Sequence, residues 1–224
     1  MANLALLKKI VLAFTLVPII LALMFFLPAG TLDYWQAWAY CAVLFIPMIF
    51  VIAYFLKYDQ ALLERRMMYK EKEAKQKSII KMSYIFFIFG FLLPGFDHRY
   101  GWSHIPPEIS IAADVFIFLG YMLIFLTFKE NSYASRIIQV EKNQKVISTG
   151  PYAIVRHPMY VGALAMWVLS PIALGSLIAF ILFLPVIAII ILRIFNEEDL
   201  LRKQLPGYNE YCQKVRYRLI PFVW

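Results

Sequence analysis

Charge is scarce in this sequence. Only 16% of its 224 residues are charged and 62% are hydrophobic, whereas about a quarter of the residues of ordinary soluble domains are charged. The mean hydropathy is +0.69. Between Met159 and Leu192 there is no Asp, Glu, Lys, Arg or His side chain at all. This composition excludes an ordinary soluble domain and predicts an all-α integral membrane protein.

Motifs for several common chemistries are also absent. None of the nine glycines forms a G-x-G pair and there is no G-x-S-x-G sequence, which excludes the usual soluble nucleotide-binding folds and the α/β-hydrolases. The two cysteines, Cys41 and Cys212, cannot build a disulfide framework or a zinc cluster. His98 and His104 have no carboxylate at a metal-ligand spacing, so we expect no metal site.

The apolar runs predict about six transmembrane helices, with five to six as the range, in a single membrane domain covering 1–224. Residues 57–81 carry eight Lys or Arg against four Asp or Glu, so the positive-inside rule places this segment and the N-terminus in the cytoplasm. Although the net charge is +8, the basic residues lie between apolar runs, which indicates membrane lipids rather than nucleic acid as partners. The N-terminal part, 1–128, contains four predicted spans: 10–28, a second ending near 56, 79–95 and 111–128.

The uncharged run 159–192 predicts a closing helical hairpin. One straight helix through it would be about 50 Å long, whereas the hydrocarbon core of a bilayer is about 30 Å thick. Pro171 and Gly175 predict the break, which leaves two arms of about 16 residues, short for a full crossing. Both polar ends then meet on one side of the membrane. The residues predicted to surround a pocket there are Arg156, His157, Tyr160, Arg193, Glu197 and Glu198.

Spacing within this group predicts how its members are oriented. Arg193 and Glu197 are four residues apart and share a helix face, whereas Glu198 is rotated by about 100°, so the two acids can face different partners. Pro158 suits the first turn of a helix and leaves the preceding Arg-His pair at an exposed bend. Beyond Arg193, Pro206 breaks the helical pattern, so we expect the tail to fold back over the pocket. The simpler interpretation of single charges here is that they anchor a helix at the membrane surface.

These motifs carry a family resemblance. GPYAIVRHPMYVG at 150–162, followed by R-x-x-x-E-E from Arg193 and a tail with spaced tyrosines and a late proline, resembles the isoprenylcysteine carboxyl methyltransferase family. Phospholipid methyltransferases have a similar tail. The resemblance implies that 129–224 is a catalytic methyltransferase region. It also implies that S-adenosyl-L-methionine binds in a cytoplasmic pocket formed by the hairpin and the tail.

The resemblance also assigns roles to single residues. Arg193 falls at the position that faces the methyl acceptor, and with Glu197 it forms the predicted catalytic pair. The resemblance implies cofactor contacts for Gln139, Lys145, Val146, Ile147, Tyr152, His157, Pro158, Tyr160 and Glu197. To these the chemistry of the residues adds Arg156, which can pair with the cofactor's carboxylate, and Glu198, the second of the adjacent acids.

The simplest function is carboxyl O-methylation of an isoprenylcysteine-like, lipophilic acceptor that enters from the bilayer. Positioning would supply most of the catalysis, because the sulfonium methyl needs no strong base. The alternatives are N-methylation of a phospholipid amine, an NADPH-dependent membrane reductase of related fold, and a scaffold without catalysis. The adjacent acids argue against NADPH because they would repel its 2′-phosphate. We expect the plasma (inner) membrane of a prokaryote, with the endoplasmic reticulum as the alternative.

Overall fold

The fold is a bundle of α-helices. A computed structural model describes residues 4–68 and 74–224, and within these ranges no β-strand occurs, as the sequence predicts. A short 3₁₀ turn covers Gly150–Ala153. The α-helices are α1 (Leu4–Ala29), α2 (Trp35–Tyr58), α3 (Gln60–Arg66), α4 (Ala74–Tyr100), α5 (Pro107–Glu130), α6 (Pro158–Ala173), α7 (Leu177–Phe183), α8 (Pro185–Gln204) and α9 (Tyr208–Lys214).

The predicted membrane spans correspond to helices of the bundle. Among the described residues, α1, α2, α5 and the combined α7–α8 stretch are long and apolar enough to cross a membrane. The helix α6 is apolar but shorter, and α4 contains the predicted third span. Many large apolar side chains on these helices are exposed, as expected for surfaces in contact with lipid rather than water.

The closing hairpin forms where the sequence predicts it. The helix α6 ends at Ala173, with Pro171 inside its last turn, and Gly175 adopts a positive φ of 80° in the turn. This is a backbone conformation that glycine adopts without steric cost. The first arm has 16 residues, whereas the second runs for 28 residues from Leu177 to Gln204. The predicted length of about 16 residues covers only the apolar part of this arm; the helix continues past Leu192, as the spacing of Arg193 and Glu197 predicts, and ends at Gln204 just before Pro206.

At the end of the bundle opposite the pocket residues, hydrogen bonds connect the hairpin turn to the adjacent helices. The Tyr34 hydroxyl donates to the carbonyl of Leu174 at 2.5 Å. The buried carboxylate of Asp97 accepts hydrogen bonds from the hydroxyls of Ser103 and Ser176. His98 stacks on Tyr34 with ring centroids 4.2 Å apart. In the described ranges there is no group of three or more His, Cys, Asp or Glu side chains that could hold a metal ion.

Two glycines bring α5 and α6 into backbone contact. A Cβ atom on Gly162 would lie 2.5 Å from the carbonyl oxygen of Gly120, and one on Gly120 would lie 2.8 Å from that of Gly162. Small residues permit this kind of close approach between membrane helices. The contact places the start of α6 beside the end of α5, where the candidate site lies.

Candidate active site

The largest group of predicted polar residues surrounds one cavity at the mouth of the hairpin. The cavity contains about 850 Å³ of unfilled space, including its open mouth, and lies between the start of α6, the middle of α8, the tail and the 131–147 segment. Its lining consists of Asn131, Tyr133, Ala134, Ser135, Ile137, Ile138, Gln139, Gln144, Lys145, Val146, Ile147, Tyr152, Arg156, His157, Met159, Tyr160, Arg193, Glu197, Leu201, Leu205, Tyr208 and Tyr211.

Ten of the twelve residues singled out in the sequence line this cavity. The two that do not are Pro158 and Glu198. Pro158 occupies the first turn of α6, as its missing backbone N–H group permits. Glu198 lies behind the wall with only 2% of its surface exposed. The two adjacent acids therefore do face different surroundings, and Glu197 is the one on the cavity side.

A hydrogen-bonded chain of three side chains spans the cavity wall. The hydroxyl of Tyr160 donates to Oε2 of Glu197 at 2.6 Å and accepts from Nε of Arg193 at 2.9 Å. Nη2 of Arg193 donates to the backbone carbonyl of Arg136 at 2.7 Å. Since Tyr160 is only 4% exposed, its phenol is a rigid link that fixes both charged groups. The spacing of four residues on α8 puts these two groups on the same face, as predicted.

The Glu198 carboxylate fastens the tail. It accepts from Nε of Arg156 at 2.7 Å and lies 3.2 Å from Nε2 of His157, and Arg218 of the tail binds its second oxygen. Nη1 of Arg156 donates to two backbone carbonyls of the tail at 3.0 and 2.8 Å. Buried charges need such partners. Arg156 thus lines the cavity while its Nη1 binds the tail and its Nε binds Glu198, a role that sequence reasoning missed; the bend at Arg156 and His157, predicted to be exposed, is buried.

Backbone hydrogen bonds and apolar packing also hold the tail against the cavity. The N–H groups of Arg156 and His157 donate to the carbonyls of Tyr217 and Arg218 at 2.9 and 3.0 Å. The Tyr211 hydroxyl donates to the carbonyl of Tyr152 at 2.8 Å. An apolar cluster joins the tail to the cavity wall; its buried members are Leu205, Tyr208, Tyr211 and Val215. The tail folds back over the pocket, as the sequence predicts.

The phenols on this side differ in their hydrogen bonding. The Tyr152 hydroxyl accepts from Nδ2 of Asn131 at 2.9 Å, whereas the buried Tyr208 hydroxyl has no hydrogen-bond partner among the described residues. Burial raises the pKa of Tyr152, Tyr208 and Tyr211 above the ordinary tyrosine value, so all three stay protonated. A buried hydroxyl without a hydrogen bond reduces the stability of the folded protein. The Tyr208 hydroxyl is therefore the group in the cavity wall that would gain most from a hydrogen bond to a ligand.

Sequence reasoning missed the residues that bring positive charge to the 131–138 part of the wall. Nη1 of Arg66, in α3, donates to the carbonyl of Ser135 at 3.1 Å. Burial, together with the nearby cations Arg136 and Arg193, lowers the pKa of Arg66 to about 10, partly offset by nearby tyrosines. Nothing in the sequence distinguishes Arg66 from the other basic residues of 57–81, because its role depends on α3 folding back against 132–135.

Three comparisons relate the chain to known proteins. Residues 109–206 match the family model described as phospholipid methyltransferase. Mouse Delta(14)-sterol reductase is 30% identical over 118 residues, which cover 49% of this chain but only 28% of the reductase. The solved structure of a eukaryotic intramembrane Ras methyltransferase, isoprenylcysteine carboxyl methyltransferase, superposes with a TM-score of 0.55 at 21% identity. That superposition covers 91% of this chain and 74% of the methyltransferase.

These findings confirm the resemblance at the level of fold, and residues 109–206 match the sequence pattern of phospholipid methyltransferases. The helical bundle is that of isoprenylcysteine carboxyl methyltransferase, and the matched family model extends from α5 through the hairpin to the end of α8. That region contains Tyr160, Arg193 and Glu197. The chain spans little more than a quarter of the length of the sterol reductase that it matches.

Proposed function

We propose that this chain, related to phospholipid methyltransferases and folded like isoprenylcysteine carboxyl methyltransferase, transfers a methyl group from S-adenosylmethionine to a lipophilic carboxylate. The observation that carries the proposal is the Arg193–Tyr160–Glu197 chain in the cavity wall. It holds a cation and an acid side by side at the mouth of a membrane hairpin. A carboxylate acceptor needs the cation, and the amino group or hydroxyls of the methyl donor need the acid.

The cavity residues fit the chemical groups of S-adenosylmethionine. Glu197 can accept from its ammonium or hydroxyl groups, and Gln139 and the backbone at 145–147 can bind further polar atoms. Apolar and aromatic side chains, including Leu201 and Tyr152, provide a surface for the adenine ring, and the unpartnered Tyr208 hydroxyl can bond to a polar atom of the ligand. When bound, this cofactor supplies an electrophilic methyl group on a sulfonium.

The chain's own residues then orient the acceptor and exclude water. Arg193 is held by Tyr160 and by the carbonyl of Arg136, so a carboxylate pairing with its guanidinium would be fixed in direction. Such positioning is worth several orders of magnitude in rate without a protein nucleophile. The tail, fastened by Glu198, covers the cavity and keeps water from the reacting groups.

The charges of the cavity favour a carboxylate over an amine as acceptor. Among the described residues that line the cavity Glu197 is the single acid, whereas Lys145 and Arg193 are basic; Arg156 is paired with the buried Glu198, and Arg66 adds a positive charge behind the wall. An excess of positive charge attracts anionic substrates. An isoprenylcysteine-like acceptor has a carboxylate that matches this charge and a lipophilic chain that matches the location of the cavity at a membrane hairpin. By the positive-inside rule we place the cavity on the cytoplasmic side.

A methyl-transfer assay tests the proposal. The purified protein in lipid nanodiscs receives methyl-labelled S-adenosylmethionine and one of three acceptors: a farnesylated cysteine with a free carboxylate, the same compound as its amide, or phosphatidylethanolamine. We expect label in the first compound alone, released by alkali as methanol because it forms an ester. Alkali-stable label in phosphatidylethanolamine would replace this proposal with amine methylation. Arg193→Ala should abolish transfer, whereas Lys203→Ala, at an exposed position on the same helix, should retain it.

The pH profile separates the two acceptor types independently. A carboxylate is ionised above about pH 6, so its methylation should vary little with pH from there upward. An amine must lose a proton before it can attack, so its methylation should rise steadily toward the pKa of the amine. A flat profile supports the carboxylate, and a steep rise contradicts it.

A further inference from the structure

After Tyr217 and Arg218, whose carbonyls bind the backbone just before α6, the chain forms an apolar loop that has no role in the proposed methyl transfer. In this loop, residues 219–224, Ile220 is 55% exposed, Phe222 88% and Val223 75%. Phe222 also has a positive φ of 65°, a conformation that bulky residues rarely adopt. Its ring lies 5.3 Å, centroid to centroid, from the ring of Tyr217 and is the most exposed aromatic ring of the loop.

Hydrogen bonds within the loop pair several of its backbone polar groups. The carbonyl oxygen of Trp224 accepts from the N–H groups of Arg218, Leu219 and Ile220 at 2.9, 3.0 and 3.2 Å. The N–H groups of Val223 and Trp224 donate back to the carbonyl of Ile220 at 3.1 and 3.0 Å. This internal pairing reduces the number of backbone groups that would lose water on contact with an apolar medium.

Its position corresponds to a membrane surface. The ring of Trp224 packs against Phe195 of α8 with centroids 5.7 Å apart, and Phe195 stands where the uncharged run ending at Leu192 gives way to charged residues. Both Leu192 and Phe195 are exposed on the outside of the bundle. Tryptophan is enriched at this height in membrane proteins. The loop is therefore continuous with the lipid-facing surface of α8.

The neighbouring charges suit an anionic lipid surface. The segment 213–224 contains three basic residues, Lys214, Arg216 and Arg218, and no acid. Lys214 and Arg216 are exposed, while the Arg218 guanidinium lies 5.2 Å from the ring centroids of both Phe195 and Trp224. Basic residues beside an apolar tip are the usual composition of interfacial anchors.

We infer that the 219–224 loop inserts into the lipid leaflet on the same side as the candidate active site and anchors the tail there. Leu219 is buried in the core cluster of Tyr160 and Ile194, so the loop is fixed to the bundle. The adjacent Tyr217 and Arg218 carbonyls bind the backbone of the cavity residues Arg156 and His157. The bilayer thereby supports the segment that closes the pocket.

Depth measurements test this inference without any assay of activity. Both native cysteines are replaced by alanine, and one fluorescent label is placed at Val223→Cys in the full chain reconstituted in nanodiscs with anionic lipid. The control label is placed at Glu210→Cys, an exposed position on α9. We expect spin-labelled lipid to quench the Val223 label strongly and aqueous iodide to quench it several-fold less than the Glu210 label. Equal quenching of the two labels by iodide would overturn the inference.

Lipid composition provides the second readout. In nanodiscs of purely zwitterionic lipid, or with Lys214→Glu and Arg216→Glu in anionic lipid, the protection of the Val223 label from iodide should decrease, since the electrostatic part of the attraction is lost. Both substituted side chains are exposed, so the fold should be retained. Protection that is the same in all three conditions would contradict the role of the basic residues.

Discussion

At the residue scale, the adjacent acids Glu197 and Glu198 perform separate tasks. Glu197 faces the cavity and bonds to Tyr160, whereas the buried Glu198 joins Arg156 and His157 to the tail. The sequence predicts that the two diverge, because consecutive helical residues differ by about 100° in direction. It does not identify which acid faces the cavity, since that depends on where the tail returns.

Removal of Glu198 should destabilise the protein. Glu198→Ala would leave the Arg156 guanidinium, 5% exposed in its side chain, without its carboxylate. Breaking a buried pair in this way costs about 3–5 kcal/mol. Thermal unfolding in detergent and protease cleavage of the tail measure the effect. Asp199→Asn, at the next and exposed position, is the control and should unfold as wild type; equal stability of Glu198→Ala would contradict the assigned role.

Tyr160→Phe should impair catalysis more than folding. The substitution removes the hydroxyl that links Glu197 to Arg193 and retains the ring in its core cluster. A hydrogen bond to a charged group contributes about 1.5–3 kcal/mol, so kcat/KM should fall by about 10- to 100-fold. Steady-state kinetics in nanodiscs measure this. Unchanged kinetics would show that the link is not needed.

Tyr208 and Tyr211 form a matched pair for testing the cavity wall. Tyr208→Phe removes a buried hydroxyl that has no hydrogen-bond partner in the described part of the chain. The free energy of unfolding should therefore not fall, whereas the affinity for S-adenosylmethionine should decrease. Tyr211→Phe removes the bond to the Tyr152 carbonyl and should cost about 1 kcal/mol of stability. Thermal unfolding with and without the ligand separates the two effects. Loss of stability in Tyr208→Phe with unchanged affinity would contradict a ligand contact.

At the element scale, the contact between α5 and α6 determines where the hairpin begins. Gly162→Val would push its side chain against the Gly120 carbonyl and Ile124, and overpacking of this kind costs about 1–3 kcal/mol or more. We expect lower thermal stability and weaker ligand binding, because the start of α6 carries Tyr160. Ala112→Val, exposed on α5, places the same side chain outside the contact and should have little effect.

The elements themselves could largely be predicted. The length and lack of charge of 159–192 require a fold-back, and Gly175 provides the conformation that the turn needs. The length of the second arm follows from a different pattern. Loss of apolarity after Leu192 marks the end of the hydrocarbon layer, whereas the spacing of Arg193 and Glu197 and the break at Pro206 predict that the helix continues. The helix continues to Gln204, which brings Leu201 to the cavity.

At the scale of the whole molecule, the cavity depends on segments without regular structure. Gln139 and residues 145–147 line the cavity, and the start of the same segment is bound to α3, where Arg65 and Arg66 donate to the carbonyls of Ser132 and Ser135. No periodicity in 131–147 indicates this arrangement, so only a family resemblance could place those residues near the cofactor. The hairpin residues, in contrast, follow from charge and length.

The most direct measurement of the central claim is calorimetric titration of the purified protein with S-adenosylmethionine and, separately, with NADPH. The account predicts saturable binding of S-adenosylmethionine, lost in Glu197→Gln and retained in Asp199→Asn, and no binding of NADPH. The control residue lies on the same helix and is exposed, so it reports on general effects of removing an acid. If the wild-type protein binds NADPH and does not bind S-adenosylmethionine, the methyltransferase account is contradicted and the reductase alternative is favoured.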